Sequence, residues 1–297
     1  MQSWIILNRS MIYAAHSIEA INGRCNKPPD FVWGFVTMGD MTVRSFHFLL
    51  LTIYTLAVGS ILLSVQASWL VASALLSAAP LLVLWHRVRM STHTIPLVAL
   101  CTILGTGMIE LFAYKTGIWF EVSATGTQFA GVPVSAYLFS VLHILYLIIV
   151  YEYFFDDGRN TGRSPFSQSM IVYAGLGYTA VAGYLYVYPD LFIAHPFLAL
   201  VVALCVIFSI LITVRHPVGY GRLVTRAIRF TFVMLPISLA YECIMVANNI
   251  RFFANPEQYL YSFSVAQFSI PIEEVFLILL IPFGVAVLYE LYFDDAR

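Results

Sequence analysis

The last thirty residues, FSIPIEEVFLILLIPFGVAVLYELYFDDAR (268–297), decide the fold. From Pro271 to Tyr292 the stretch carries charge only at Glu273, Glu274 and Glu290. It is as long as a bilayer-crossing helix, which takes about 20 residues. Its tail, YELYFDDAR (289–297), repeats YEYFFDDGR (151–159) at an offset of 138, and Pro271 falls on Pro133 of GVPVSAYLF at the same offset. Upstream, Glu242 aligns with Glu110, and IRF (250–252) with IWF (118–120), at an offset of 132. The loop before the proline absorbs the six-residue difference. A chain that repeats its membrane segments in this way is a tandem array of helical units.

Composition agrees. The 297 residues are 60% hydrophobic and 10% charged, and the mean hydropathy is +0.84. Soluble chains carry about 25% charged residues. We expect an all-α polytopic membrane protein with eight spans at 45–65, 67–85, 94–113, 134–154, 169–188, 196–214, 228–247 and 270–293. The spans form two parallel four-helix repeats, 45–157 and 158–297, related by an axis along the membrane normal. With eight spans, thirteen of the fifteen Lys and Arg residues fall on the side of the termini, and Lys115 and Arg251 on the other. By the positive-inside rule this predicts an integral protein of the cell membrane with both termini cytoplasmic. Residues 1–44 read as a cytoplasmic segment without the apolar core of a signal peptide, in which Met41 is an alternative start. A net charge of -1 gives no footing for nucleic acid. The four cysteines, at 25, 101, 205 and 243, show neither disulfide nor metal spacing. A homo-oligomer is left open.

The carboxylates of the non-cytoplasmic side are the candidate chemistry. Glu273 and Glu274 open the eighth span, while Glu110 and Glu242 sit near the ends of the third and seventh. Proline followed by acids is also an ordinary helix start, because the dipole favours negative charge there. A charge at the centre of a span, however, costs about 2.5–3.5 kcal/mol. Four carboxylates converging at one end ask for a further reason. Two carboxyls held close cannot both ionise comfortably, which sets one up as acid and its neighbour as base. Aromatic residues of the adjoining loops, Trp119, Phe252, Phe253, Tyr259 and Tyr261, are candidates to stabilise a cation through their ring faces. Acid, base and aromatic faces within lipid point to proton-initiated chemistry on an alkene.

The motif PIEEVFLILLIP (271–282), with an acidic residue and IRF upstream, resembles the lycopene cyclase domain of the membrane-embedded, flavin-independent carotenoid cyclases. Those enzymes combine two related helical domains and carry Pro-x-Glu-Glu or Pro-x-Glu-Asp. The resemblance covers roughly 94–157 and 228–295. It implies that Glu273 and Glu274 carry the acid/base step, that Pro271 sets the helix entry, and that Glu242 and Glu110 are partner carboxylates. The implied reaction protonates a terminal double bond of linear lycopene, closes a ring on the cation and removes a proton. That is a net isomerisation needing no redox cofactor or metal. The substrate, a long isoprenoid, enters from the lipid. In the first half Ser135 and Ala136 stand where Glu273 and Glu274 stand in the second, and Trp119 stands for Arg251, so one half alone has the intact motif.

Three other signals are weaker. Phe139 and His143 make an F-x-x-x-H that, with Glu-Glu, occurs in intramembrane glutamate proteases. Here the order is reversed and Ile278 holds the place of the arginine. Asp156-Asp157 and Asp294-Asp295 are adjacent pairs at helix ends, unlike the spaced aspartates of membrane prenyltransferases, and Glu152 and Glu290 sit one turn inside them. A related enzyme acting on another isoprenoid end group, or a lipid- or carotenoid-binding or transport scaffold, stays open. Such a scaffold calls for polar groups or Gly/Pro breaks at mid-span.

Overall fold

The computed structural model describes residues 43–88, 90, 94–121, 126–156, 167–188, 193–215, 220–253, 255–265 and 268–293. The N-terminal segment up to Thr42, the junction at 157–158 and the aspartates 157, 294 and 295 lie outside them. The described chain is all-α and polytopic. Its helices are α1 (Val43–Ser64), α3 (Thr94–Thr116), α4 (Val134–Phe154), α5 (Ser167–Val187), α6 (Pro196–Arg215), α7 (Tyr220–Ala247) and α8 (Ile272–Tyr292). These seven are long and apolar enough to cross a membrane.

The second expected span, 67–85, is a shorter helix, α2. It runs as Trp69–Ser73, a π-helical turn Ala74–Ala78 and Ala79–Trp85. Pro80 explains the turn. Its ring would strike the carbonyl four residues back, and widening the helix so that the Ala79 N–H bonds to Ala74 O relieves the clash. At 1.5 Å per residue, α2 is about 25 Å long, short of a hydrocarbon core of about 30 Å. The expected start of the seventh span, 228, is also corrected: α7 begins eight residues earlier. Arg226 lies on this added turn and reaches Asp156 at 3.2 Å and Glu290 at 2.8 Å, so cations that looked like loop residues are helical.

Outward faces are apolar, as lipid contact requires. Val83 on α2 and Val214 on α6 are 72% and 70% exposed, and the α5 span is only 6% buried. The polar groups turn inward instead.

Local structure recurs at the offsets read from the sequence. Helices α3 and α7 both end on a left-handed residue, Gly117 (φ 73°) and Asn249 (φ 52°). Ile118 N–H closes on Ala113 O at 3.0 Å and Ile250 N–H on Met245 O at 2.9 Å. Short hairpins then lead into the next helix: β2 (Gln128–Phe129) with β3 (Val132–Pro133), and β5 (Ser262–Val265) with β6 (Phe268–Pro271). Pro133 and Pro271 are the N-caps of α4 and α8 rather than first helical residues. The second hairpin is four residues longer, which accounts for most of the offset difference.

Packing follows the same exchange. Helices α3 and α4 pair, as do α7 and α8; α2 packs on α4 and α6 on α8. Helix α1, however, packs on α7, and α5 on α3, so each half borrows the first helix of the other. At one end of the axis, β1 (Phe120–Glu121) pairs antiparallel with β4 (Arg251–Phe252), and Phe120 faces its own repeat mate Phe252. At the far end the contacts are reciprocal: the Tyr151 hydroxyl donates to Glu290, and the Tyr289 hydroxyl donates to Glu152. Both glutamates are buried, and a buried carboxylate without a donor is costly, so each half completes the other.

The register at β1–β4 gives a direct check. Facing residues of an antiparallel pair have Cα atoms about 4.5–5.5 Å apart, within disulfide range. In a chain whose four native cysteines are replaced, Phe120→Cys with Phe252→Cys is expected to cross-link on mild oxidation. After cleavage at a protease site inserted in 157–166, the halves should then stay joined until reductant is added. Fragments that separate without reductant would contradict the register.

Candidate functional site

The site is built where α8 begins. The β5–β6 hairpin delivers the chain to Pro271, and Ile272 N–H bonds to Tyr261 O at 2.8 Å. Glu273 and Glu274 follow in the first turn, 1% and 2% exposed. Successive helical residues do not share a face, and the two carboxylates part company. Glu273 Oε1 accepts the Leu260 backbone N–H at 2.6 Å and fastens the loop. Glu274 turns the other way, to Arg251.

Arg251 organises the cluster. Its Nη1 lies 3.1 Å from Glu242 Oε2 and 3.4 Å from Glu274 Oε1. The buried Glu242 and Glu274 carboxyls thus share one guanidinium, two acids to a single cation. The guanidinium sits 5.3 Å from the centre of the Trp119 ring, within cation–π range. Trp119 Nε1 in turn donates to Glu110 Oε2 at 3.0 Å. Glu110, Glu242 and Glu274 are thus linked through Arg251 and Trp119, while Glu273 is engaged elsewhere. The one basic residue placed with Lys115 on the sparsely charged side is the counter-ion of the carboxylates.

A cavity of about 70 Å³ opens beside them. Phe139 and His143 of α4, Ser238, Tyr241, Glu242 and Met245 of α7, Arg251, and Glu274, Ile278, Ile281 and Pro282 of α8 line it. Phe139 stacks on both His143 and Tyr241, with centroids at 5.4 and 5.0 Å. Pro282 has no N–H, so the Ile278 carbonyl lacks its helical donor.

The repeat mate of this site is packed solid. Ala136 stands for Glu274, Ser135 for Glu273, Trp119 for Arg251, and Ile109 for Tyr241. Trp119 is 1% exposed in an apolar cluster with Ala113, Ile118, Phe197, Tyr259 and Leu277. The cavity forms at this one of the two repeat-related positions, where α4 of the first half meets α7 and α8 of the second.

The loop aromatics named from the sequence lie elsewhere than the cavity wall. Phe252 is half-exposed over Phe120, with centroids at 5.8 Å, and Tyr261 is exposed. Phe253 packs on Phe197 and Tyr259. Tyr259 donates its hydroxyl to Ile118 O at 2.6 Å, and burial pushes its phenol up to about 12, which keeps it a neutral donor across the physiological range. The aromatic wall is Phe139 and Tyr241 instead. His143, Tyr241, Ser238 and Arg251 were not among the sequence candidates. F-x-x-x-H was the visible trace of the first, and the exchange of Trp119 for Arg251 between halves the trace of the last. Among the described residues no group of three His, Cys, Asp or Glu side chains is arranged to hold a metal ion.

Removing one member of a buried ion pair leaves an uncompensated charge, at about 3–5 kcal/mol. Arg251→Met is therefore expected to destabilise the detergent-solubilised protein by about that much in equilibrium unfolding. Adding Glu242→Gln should restore part of the loss, because the stranded carboxylate goes with it. Equal, additive losses would contradict the coupling. No family model matches this chain, nor does any curated protein or solved structure.

Proposed function

We propose that this chain is a carotenoid end-group cyclase, an isomerase similar to lycopene cyclase, embedded in the cell membrane with both termini cytoplasmic. The observation that carries the reading is the buried Glu274–Glu242 carboxyl pair, held by a single guanidinium in the wall of a cavity lined mostly by rings and alkyl groups. With one cation for two buried carboxyls, one of them is held protonated, and that proton is available to an alkene. Glu274 gives it to the terminal double bond, the π electrons form the new C–H bond, and the positive centre falls beside the Phe139 and Tyr241 rings. An aromatic face stabilises a desolvated cation by roughly 2 kcal/mol. The next double bond closes the ring, and loss of a ring proton restores the alkene, so the product is an isomer of the substrate.

The substrate, a long linear isoprenoid, reaches the site from the lipid, since a hydrocarbon gains nothing from passing through water. A cavity that holds benzene measures about 150 Å³, so the wall widens as an end group enters. Met245, with three rotatable bonds, is suited to yield. Glu110 and Trp119 hold Arg251 from behind, and Glu273 and Pro271 hold the loop and the helix entry.

The test is chromatography of pigments from bacteria that accumulate lycopene, with and without this chain. A ring-bearing carotene is expected with the native chain and is expected to vanish with Glu274→Gln, while Glu273→Gln retains a measurable fraction. Unchanged lycopene with the protein verified in the membrane would overturn the reading. Retained carotenoid binding with unaltered products would assign the cavity to a non-catalytic binding role.

A further inference from the structure

We propose that His143 is the base of the site, the group that takes the ring proton at the end of the reaction; this rests on the cyclase reading above. Proton-initiated ring closure needs an acid and then an acceptor. Glu242 and Glu274 both accept from Arg251, and a carboxylate engaged by a guanidinium is a weaker proton acceptor than a free one. His143 reaches the same cavity from α4, a different helix from either glutamate. Its Nδ1 is buried and has no hydrogen-bond partner. Buried ring nitrogens are ordinarily bonded, and one without a partner has its hydrogen-bonding capacity in reserve.

The ring is held for this use. Phe139 stacks on one side at 5.4 Å, Tyr241 lies at 5.3 Å and Tyr146 at 6.1 Å. In the repeat mate the position of His143 is taken by Ile281, which has no lone pair to offer. The imidazole, from α4 of the first half, thus faces the one site that keeps Glu274 and Arg251, and polar groups of three helices converge on one cavity.

The steps balance. Glu274 loses its proton to the terminal alkene, the chain closes with a new C–C bond, and the cation moves to the ring. His143 Nδ1 removes a proton from the adjacent ring carbon, whose C–H electrons become the ring double bond. Imidazolium and carboxylate are then left in one cavity, and transfer of the proton from His143 back to Glu274 restores the starting state. No oxidant, reductant or second substrate is consumed.

The experiment measures initial rates of ring formation from lycopene in membranes with equal amounts of native chain, His143→Gln and His143→Ala. Glutamine keeps a polar side chain of similar bulk and no basicity. General base catalysis contributes about 10²–10⁴-fold, so His143→Gln is expected to lose at least about 100-fold. His143→Ala should lose as much and regain part of the rate when free imidazole is added, which a merely structural role would not allow. Native rates and an unchanged ring double-bond position in both variants, with Glu274→Gln inactive, would overturn the assignment and leave the cyclase reading intact. A native chain that forms no ring from lycopene would overturn both.

Discussion

A carboxylate inside an apolar bundle has to find a donor, and in this chain the donor that matters is Arg251. It stands 3.1 Å from Glu242 and 3.4 Å from Glu274, on a two-residue strand fixed by pairing with Phe120–Glu121 of the other half. The cost of burying charge falls steeply when the pair is close and hydrogen-bonded, and rises again when either partner is lost. The placement of β4, the exchange between halves and the entry of α8 all converge on keeping this contact. Loop, hairpin and helix end are arranged around one guanidinium.

The same rule operates at the opposite end of the helices with different chemistry. There Glu152 and Glu290 are satisfied by tyrosine hydroxyls from the partner half, with Arg226 on Glu290. The two tyrosine contacts are reciprocal. Around Arg251 the contacts are not. Trp119 fills the place of the arginine, Ala136 that of the glutamate and Ile281 that of the imidazole, so one mate is a packed core and the other a cavity. The two copies of one position can diverge because the axis contacts hold the halves together regardless of what fills each site. Mid-helix prolines sharpen the difference: Pro282 sits in the cavity wall, where its missing N–H leaves a carbonyl unbonded, whereas Ile144 holds the matching place in α4.

The all-α polytopic fold was legible from hydropathy because a span must be apolar along its whole length. Local correspondences at Gly117 and Asn249, at the two hairpins and at Tyr151 and Tyr289 fall at the offsets that the repeat announces. The shortness of α2 was less legible, since Pro80 acts through a π-helical turn that hydropathy does not register. The early start of α7 was hidden because arginines at a span end read as loop. In the site, burial of Glu110, Glu242, Glu273 and Glu274 was foreseeable, but their division was not. Adjacency in sequence joined Glu273 to Glu274, whereas helical geometry sends one to Leu260 and the other to Arg251. His143 and Tyr241 come from helices far apart in sequence, and packing of α4 against α8 across the axis brings them to one cavity.

The central claim is that a carboxyl proton of this cluster starts an isomerisation. It is tested most directly by supplying lycopene to membranes containing the chain in D₂O and weighing the product. The account gives a ring-bearing isomer carrying a single deuterium atom per ring, absent with Glu274→Gln. A ring formed without deuterium, or lycopene recovered unchanged, would contradict it.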